Sequence, residues 1–146
     1  MAAGRTVFSL VRRNVHMNDP MSNIRPLGSA EINDFGPAHV HTVTIDLEPG
    51  SAGSPPHRHS GPVFGYLLEG ELIFELEGEP ERVVRAGEAF WEPGGDVIHY
   101  QAANNLTDAR TVFLAVMVCA PGKEMLTYVT DEELSERAHL RHPRPA

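Results

Sequence analysis

Two histidines, His57 and His59, stand one residue apart, and a third, His99, follows forty residues after His59. In a β-strand, residues i and i+2 point to the same face. His57 and His59 therefore aim two imidazoles at one point, and His99 from a second strand can complete a facial set. Convergent imidazoles suit Zn, Fe, Ni or Cu better than Mg or Ca. The leading expectation is a metal centre holding one divalent transition metal, with zinc or iron favoured.

Strands are needed to position such a set, and the surrounding text supplies them. His41-Thr-Val-Thr-Ile-Asp-Leu47 alternates, with apolar residues at odd positions, as a half-buried strand does. Apolar stretches recur at Val63 to Glu69, Glu71 to Glu77, Glu81 to Arg85, Phe90 to Glu92, Val97 to Ala102 and Arg110 to Val118. Turn residues (Pro49-Gly50, Glu69-Gly70, Gly78 to Pro80, Ala86-Gly87, Pro93 to Gly95, Asn104-Asn105) separate them. About eight short strands with turns every eight to twelve residues predict an antiparallel sandwich or small barrel. Phe64, Tyr66, Phe74, Phe90, Trp91 and Phe113 read as barrel core, and the acidic runs around Glu75, Glu77, Glu79 and Glu81 as solvated edges. Thr130-Asp-Glu-Glu133 is a capping box and predicts one short C-terminal helix, with Leu134 and Ala138 on one side. The domain reading is a loose N-terminal arm over 1–25, a barrel over 26–128, and a helix and tail over 129–146.

The 146 residues allow one domain with a proper core. A net charge of −8 argues against nucleic acid or an anionic membrane as the main partner and leaves a small molecule. The single cysteine, Cys119, forbids an intramolecular disulfide and reads as a buried, inert thiol. No apolar run reaches membrane-spanning length, and Val7-Phe-Ser-Leu-Val11 is too short for a signal core, so the expected location is cytoplasmic. His16, His139 and His142 fall in the arm and tail and read as surface residues.

Two ordered motifs carry a resemblance. Gly50, His57, His59 and Gly70 match the first motif of the cupin family. Gly87, Pro93, Gly95, His99 and Asn104 match the second, with sixteen residues between the two. Over about residues 40 to 118 the chain resembles a compact single-domain bacterial cupin. The resemblance implies an all-β fold, a double-stranded β-helix barrel of jelly-roll type, with the metal inside. Cupins of this size are commonly dimers. A homodimer is expected, with the arm before Val40 crossing to the partner and strand edges covered.

One position departs from the family. The usual carboxylate ligand belongs four residues after His59, where this chain has Val63. Valine cannot bind a metal, so the expected set is three neutral imidazoles around a more positive, more open centre. His41 shares the inward parity of Val43, Ile45 and Leu47 and is the candidate fourth ligand. Such a centre is a good Lewis acid for a β-dicarbonyl substrate, whose enolate offers two oxygens. The first functional reading is enolisation and cyclisation of a β-dicarbonyl or aromatic-polyketide-like substrate, as in cupin-type aromatic polyketide cyclases. Glu92 and Asp96, beside the second motif, are the candidate catalytic bases. The alternatives are an iron-dependent three-histidine dioxygenase and a non-catalytic small-molecule-binding cupin.

Overall fold

The protein was analysed as a computed structural model that describes residues 36–144. The expected arm, His16 and the first residues of the expected barrel lie outside them. Among the described residues the chain forms nine strands: β1 (His39–Leu47), β2 (His57–His59), β3 (Val63–Glu69), β4 (Glu71–Leu76), β5 (Arg82–Arg85), β6 (Ala89–Glu92), β7 (His99–Asn104), β8 (Thr111–Cys119) and β9 (Leu126–Tyr128). A helix α1 (Asp131–Glu136) and a 3-10 turn over Ala138–Leu140 follow.

The strands pair as two sheets, ordered β1-β8-β3-β6 and β5-β4-β7-β2-β9. All pairings are antiparallel. Except from β4 to β5, each connection crosses to the other sheet. That winding makes the double-stranded β-helix that the motifs implied. Alternation along each strand decides what enters the barrel: along β8, every odd residue from Thr111 to Cys119 is buried and every even one half-buried.

Aromatic rings fill the barrel beside the histidines. Phe74 and Phe90 have centroids 4.9 Å apart, and Phe113 lies 5.7 Å from Phe90. Leu67, Leu72 and Val84 pack with them, with no exposed surface. Each such side chain contributes about 1.5–3 kcal/mol by burial, so the apolar interior supplies the stability that a polar cluster cannot. Cys119 is buried in the same core, as expected.

The motif residues Gly70 and Asn104 hold one barrel corner. Gly70 has φ +81°, and a Cβ there would lie 2.6 Å from the Arg110 carbonyl oxygen. Only glycine fits. The Asn104 amide donates to the carbonyls of Leu47, Glu48 and Ala109, at 3.2, 3.0 and 2.8 Å, and its oxygen accepts from the Leu106 N–H. Asn104 thus ties the end of β7 to the paired ends of β1 and β8 in the other sheet.

Three expectations change. Phe64, Tyr66 and Trp91 are not core. They are half-buried on the outer face of the first sheet, where Thr42, Val116, Phe64 and Trp91 form one cross-strand row. Glu75 and Glu77 are not solvated edges: their side chains are 1% and 10% exposed, beneath Arg141, Arg144 and Arg137 of the C-terminal segment. The capping box is half formed. Thr130 Oγ1 accepts from the Glu133 N–H at 3.3 Å, but the Glu133 carboxylate turns away to Arg58.

Candidate metal centre

His57 and His59 face inward from β2, and His99 of β7 is the direct cross-strand partner of His57. The imidazole centroid of His57 lies 4.9 Å from those of both His59 and His99. The fourth member is Glu92, the last residue of β6. Its Oε2 stands 2.9 Å from His99 Nδ1 and 3.3 Å from His59 Nε2. All four side chains are buried, with candidate ligand atoms within 4.8 Å of one another. Ligands about 2.1 Å from a shared cation lie roughly 3–4 Å apart, so the four side chains are spaced as residues that would hold such an ion.

Backbone carbonyls fix each ring. His57 Nδ1 donates to the Pro55 carbonyl at 2.8 Å and His59 Nδ1 to that of Met125 at 3.0 Å. His99 Nε2 donates to the Gln101 carbonyl at 2.9 Å. With one nitrogen of each ring used outward, the other faces the cluster, where it can ligate a metal or share a proton with Glu92. Burial, reinforced by His99, pushes His57 down to about 4, so that ring is neutral at pH 7 and ready to ligate. Burial alone would raise the Glu92 carboxyl. Its interactions with His99, His59 and His57 outweigh that and hold it below the usual carboxylate range.

The residues fit a divalent transition metal. The donor set is three imidazole nitrogens and one carboxylate, with borderline softness and a net charge of −1 against the cation. His99 Nδ1 is buried without a well-aligned hydrogen bond even though Glu92 Oε2 stands so near. A lone pair facing a carboxylate oxygen in a dry site is costly unless a cation or proton lies between them.

Of the residues expected from sequence, the structure brings His57, His59 and His99 together. His41 does not join them. In the first sheet His41 pairs with Met117, Met117 with Val63, and Val63 with Glu92. His41 is thus in the right row but three strand spacings of about 4.8 Å from Glu92, on an exposed stretch of the edge strand. The expectation of an all-neutral ligand set is also corrected. Val63 is replaced by the residue directly opposite it on the neighbouring strand, so the carboxylate is moved sideways and not lost. Glu92 therefore stands inside the cluster itself, between His59 and His99. The sequence held one signal for it: Glu92 shares the inward parity of Phe90. Asp96 lies outside the cluster. Its side chain is 82% exposed and pairs with Arg137 at 2.9 Å.

The second motif is pressed against the first here. Gly94 has φ +71°, and a Cβ on it would lie 2.1 Å from the Gly61 carbonyl oxygen. Beside it the Gly95 N–H donates to the His59 carbonyl at 2.9 Å.

The profile of the cupin domain family matches residues 43–117, half of the chain. The chain belongs to the cupin family. No curated protein sequence matches this cupin. Among solved structures, oxalate oxidase in complex with the substrate analogue glycolate aligns at 30% identity and TM-score 0.50, covering 62% of this chain and 46% of that one. The DMSP lyase DddQ from Ruegeria pomeroyi aligns at 20% identity and TM-score 0.50, over 62% of this cupin and 43% of the lyase, which supports the fold alone. This cupin thus spans less than half the length of either. Among the described residues no helix is long and apolar enough to cross a membrane.

Proposed function

We propose that this cupin holds one divalent transition metal at His57, His59, Glu92 and His99 and uses it on a small substrate that presents two adjacent oxygens. The convergence of four buried donor side chains, with ligand atoms within 4.8 Å of one another, carries the reading. A bound zinc or iron would supply Lewis acidity, lowering the cost of removing a proton next to a carbonyl. The protein's part is to hold three imidazoles by backbone carbonyls and to place one anionic oxygen beside them. Phe74 packs its ring 4.9 Å from that of His99 and keeps this side of the centre apolar.

β-Dicarbonyl compounds remain the substrate class, with enolisation and cyclisation as the first reaction. Glu92 is taken up as a metal ligand and Asp96 pairs with Arg137, so the substrate's proton must leave to a group other than these two. Oxygen-dependent cleavage is the second reading, and the likeness to oxalate oxidase favours it. Oxalate and glycolate also present two adjacent oxygens, so the probes extend to them.

Elemental analysis of the purified protein should find close to one transition metal per chain. Oxygen uptake and ultraviolet absorbance would then be followed with acetylacetone, oxalate and glycolate. A shifted diketone band with product and no oxygen uptake supports Lewis-acid chemistry. Uptake supports the oxygenase reading, and a shift without turnover supports a binding protein. Protein that takes up no metal under any loading condition sinks the proposal.

A further inference from the structure

The strand that carries two of the four cluster residues is short and weakly held on one side. β2 has three residues and shares one residue pair, His57 with His99, with β7. On its other side β9 pairs along its whole length: Tyr128 with His57, Thr127 with Arg58, Leu126 with His59. The Met125 carbonyl, just before β9, accepts the His59 Nδ1–H, and the Val129 N–H donates to the Pro56 carbonyl at 3.0 Å.

The back of β2 is held by the same segment. Arg58 lies between the two histidines, so its side chain leaves from the opposite face. Its guanidinium forks onto both carboxylate oxygens of Glu133 in α1, with Nη1 to Oε2 at 3.1 Å. Arg58 Nε donates to the Asp96 carbonyl at 3.1 Å. Arg137, one turn after Glu133, grips Glu77 and Asp96. A bidentate guanidinium–carboxylate pair fixes orientation as well as distance. Apart from the Arg58–Asp96 bond, each of these contacts draws on chain beyond residue 117, where the family match ends.

We infer that residues 125–137 form a clamp that positions β2, with Glu133 and Arg58 as positioning residues that set metal affinity through His59. This rests on the reading of the four-residue cluster as a metal centre. The clamp acts from both faces of one strand: β9 and the Met125 carbonyl orient His59 from the edge, and Glu133 fixes the strand from behind.

The test compares Glu133→Ala, Glu133→Asp and, as a control, Glu132→Ala, whose residue is exposed on the same helix. Zinc affinity is measured by chelator competition on the full chain. In the metal-free protein, the His59 imidazole N–H is followed by NMR as a report on its bond to Met125. Glu133→Ala should weaken zinc binding about tenfold, the low end for partners outside the ligand shell. It should also broaden or abolish the His59 N–H signal. Glu133→Asp should recover most of both, and Glu132→Ala should change neither. Zinc affinity within twofold of the parent in Glu133→Ala overturns the proposal, as does a weakened affinity with the His59 signal intact. If the parent takes up no metal under any loading condition yet Glu133→Ala still loses the signal, the clamp's hold on His59 stands and the metal reading fails.

Discussion

Replacing Glu92 by Gln keeps the shape of the side chain and removes the anionic oxygen that faces His59 and His99. The carboxylate is buried against three imidazoles, so among the described residues it is the negative charge placed to balance the cation. Removing one partner of a buried charge pair costs about 3–5 kcal/mol. At about 1.4 kcal/mol per decade, that predicts a loss of roughly 10²–10⁴ in metal affinity. Chelator competition followed by an indicator dye measures it directly. A second variant tests the geometry as well as the charge. Val63 and Glu92 are cross-strand partners on the same face, and such partners have Cα atoms about 4.5–5.5 Å apart. The exchange Val63→Glu with Glu92→Val should therefore recover affinity well above that of Glu92→Gln. A Glu92→Gln protein that binds metal within threefold of the parent would refute the reasoning. It would return the centre to three imidazoles.

Changing His57 and His59 together to Ala should abolish metal binding while circular dichroism still reports the barrel, whereas His41→Ala should leave affinity unchanged. A measurable loss in the His41 variant would show that the edge strand folds inward on loading. Below the usual carboxylate range the C-terminal segment should loosen. Burial alone would raise Glu75, but Arg141 and Arg144 outweigh it and hold it low, so its contribution is present at neutral pH and lost as pH falls through the lowered value. Limited proteolysis against pH should show this acid-side release, and Glu75→Gln should remove that pH dependence. The outer row of Val116, Phe64 and Trp91, with Leu114 and Tyr66 beside it, suits the expected homodimer. Light scattering at micromolar concentration should report twice the chain mass, and a monomer would contradict it.

The sequence by itself determined the barrel and three-quarters of the cluster. Strand alternation has a period of two, so the His57–His59 spacing states a shared face without knowledge of any partner strand. Turn glycines such as Gly70 are dictated by local backbone geometry, and they mark where strands end. What lay beyond reach was lateral: which strand sits beside which, and in what register. Val63 read as a missing ligand because the residue facing it across β3 and β6 is known only once those strands pair. His41 read as its replacement because parity gives the face and not the distance along a row. Likewise, Glu75 and Glu77 read as solvated because the arginines that cover them are some 60 to 70 residues away in the chain. β9 has three residues, too few for any periodic signal, yet it holds the strand that carries two of the histidines. Local sequence sets which residues share a face, and only the tertiary pairing decides which faces meet.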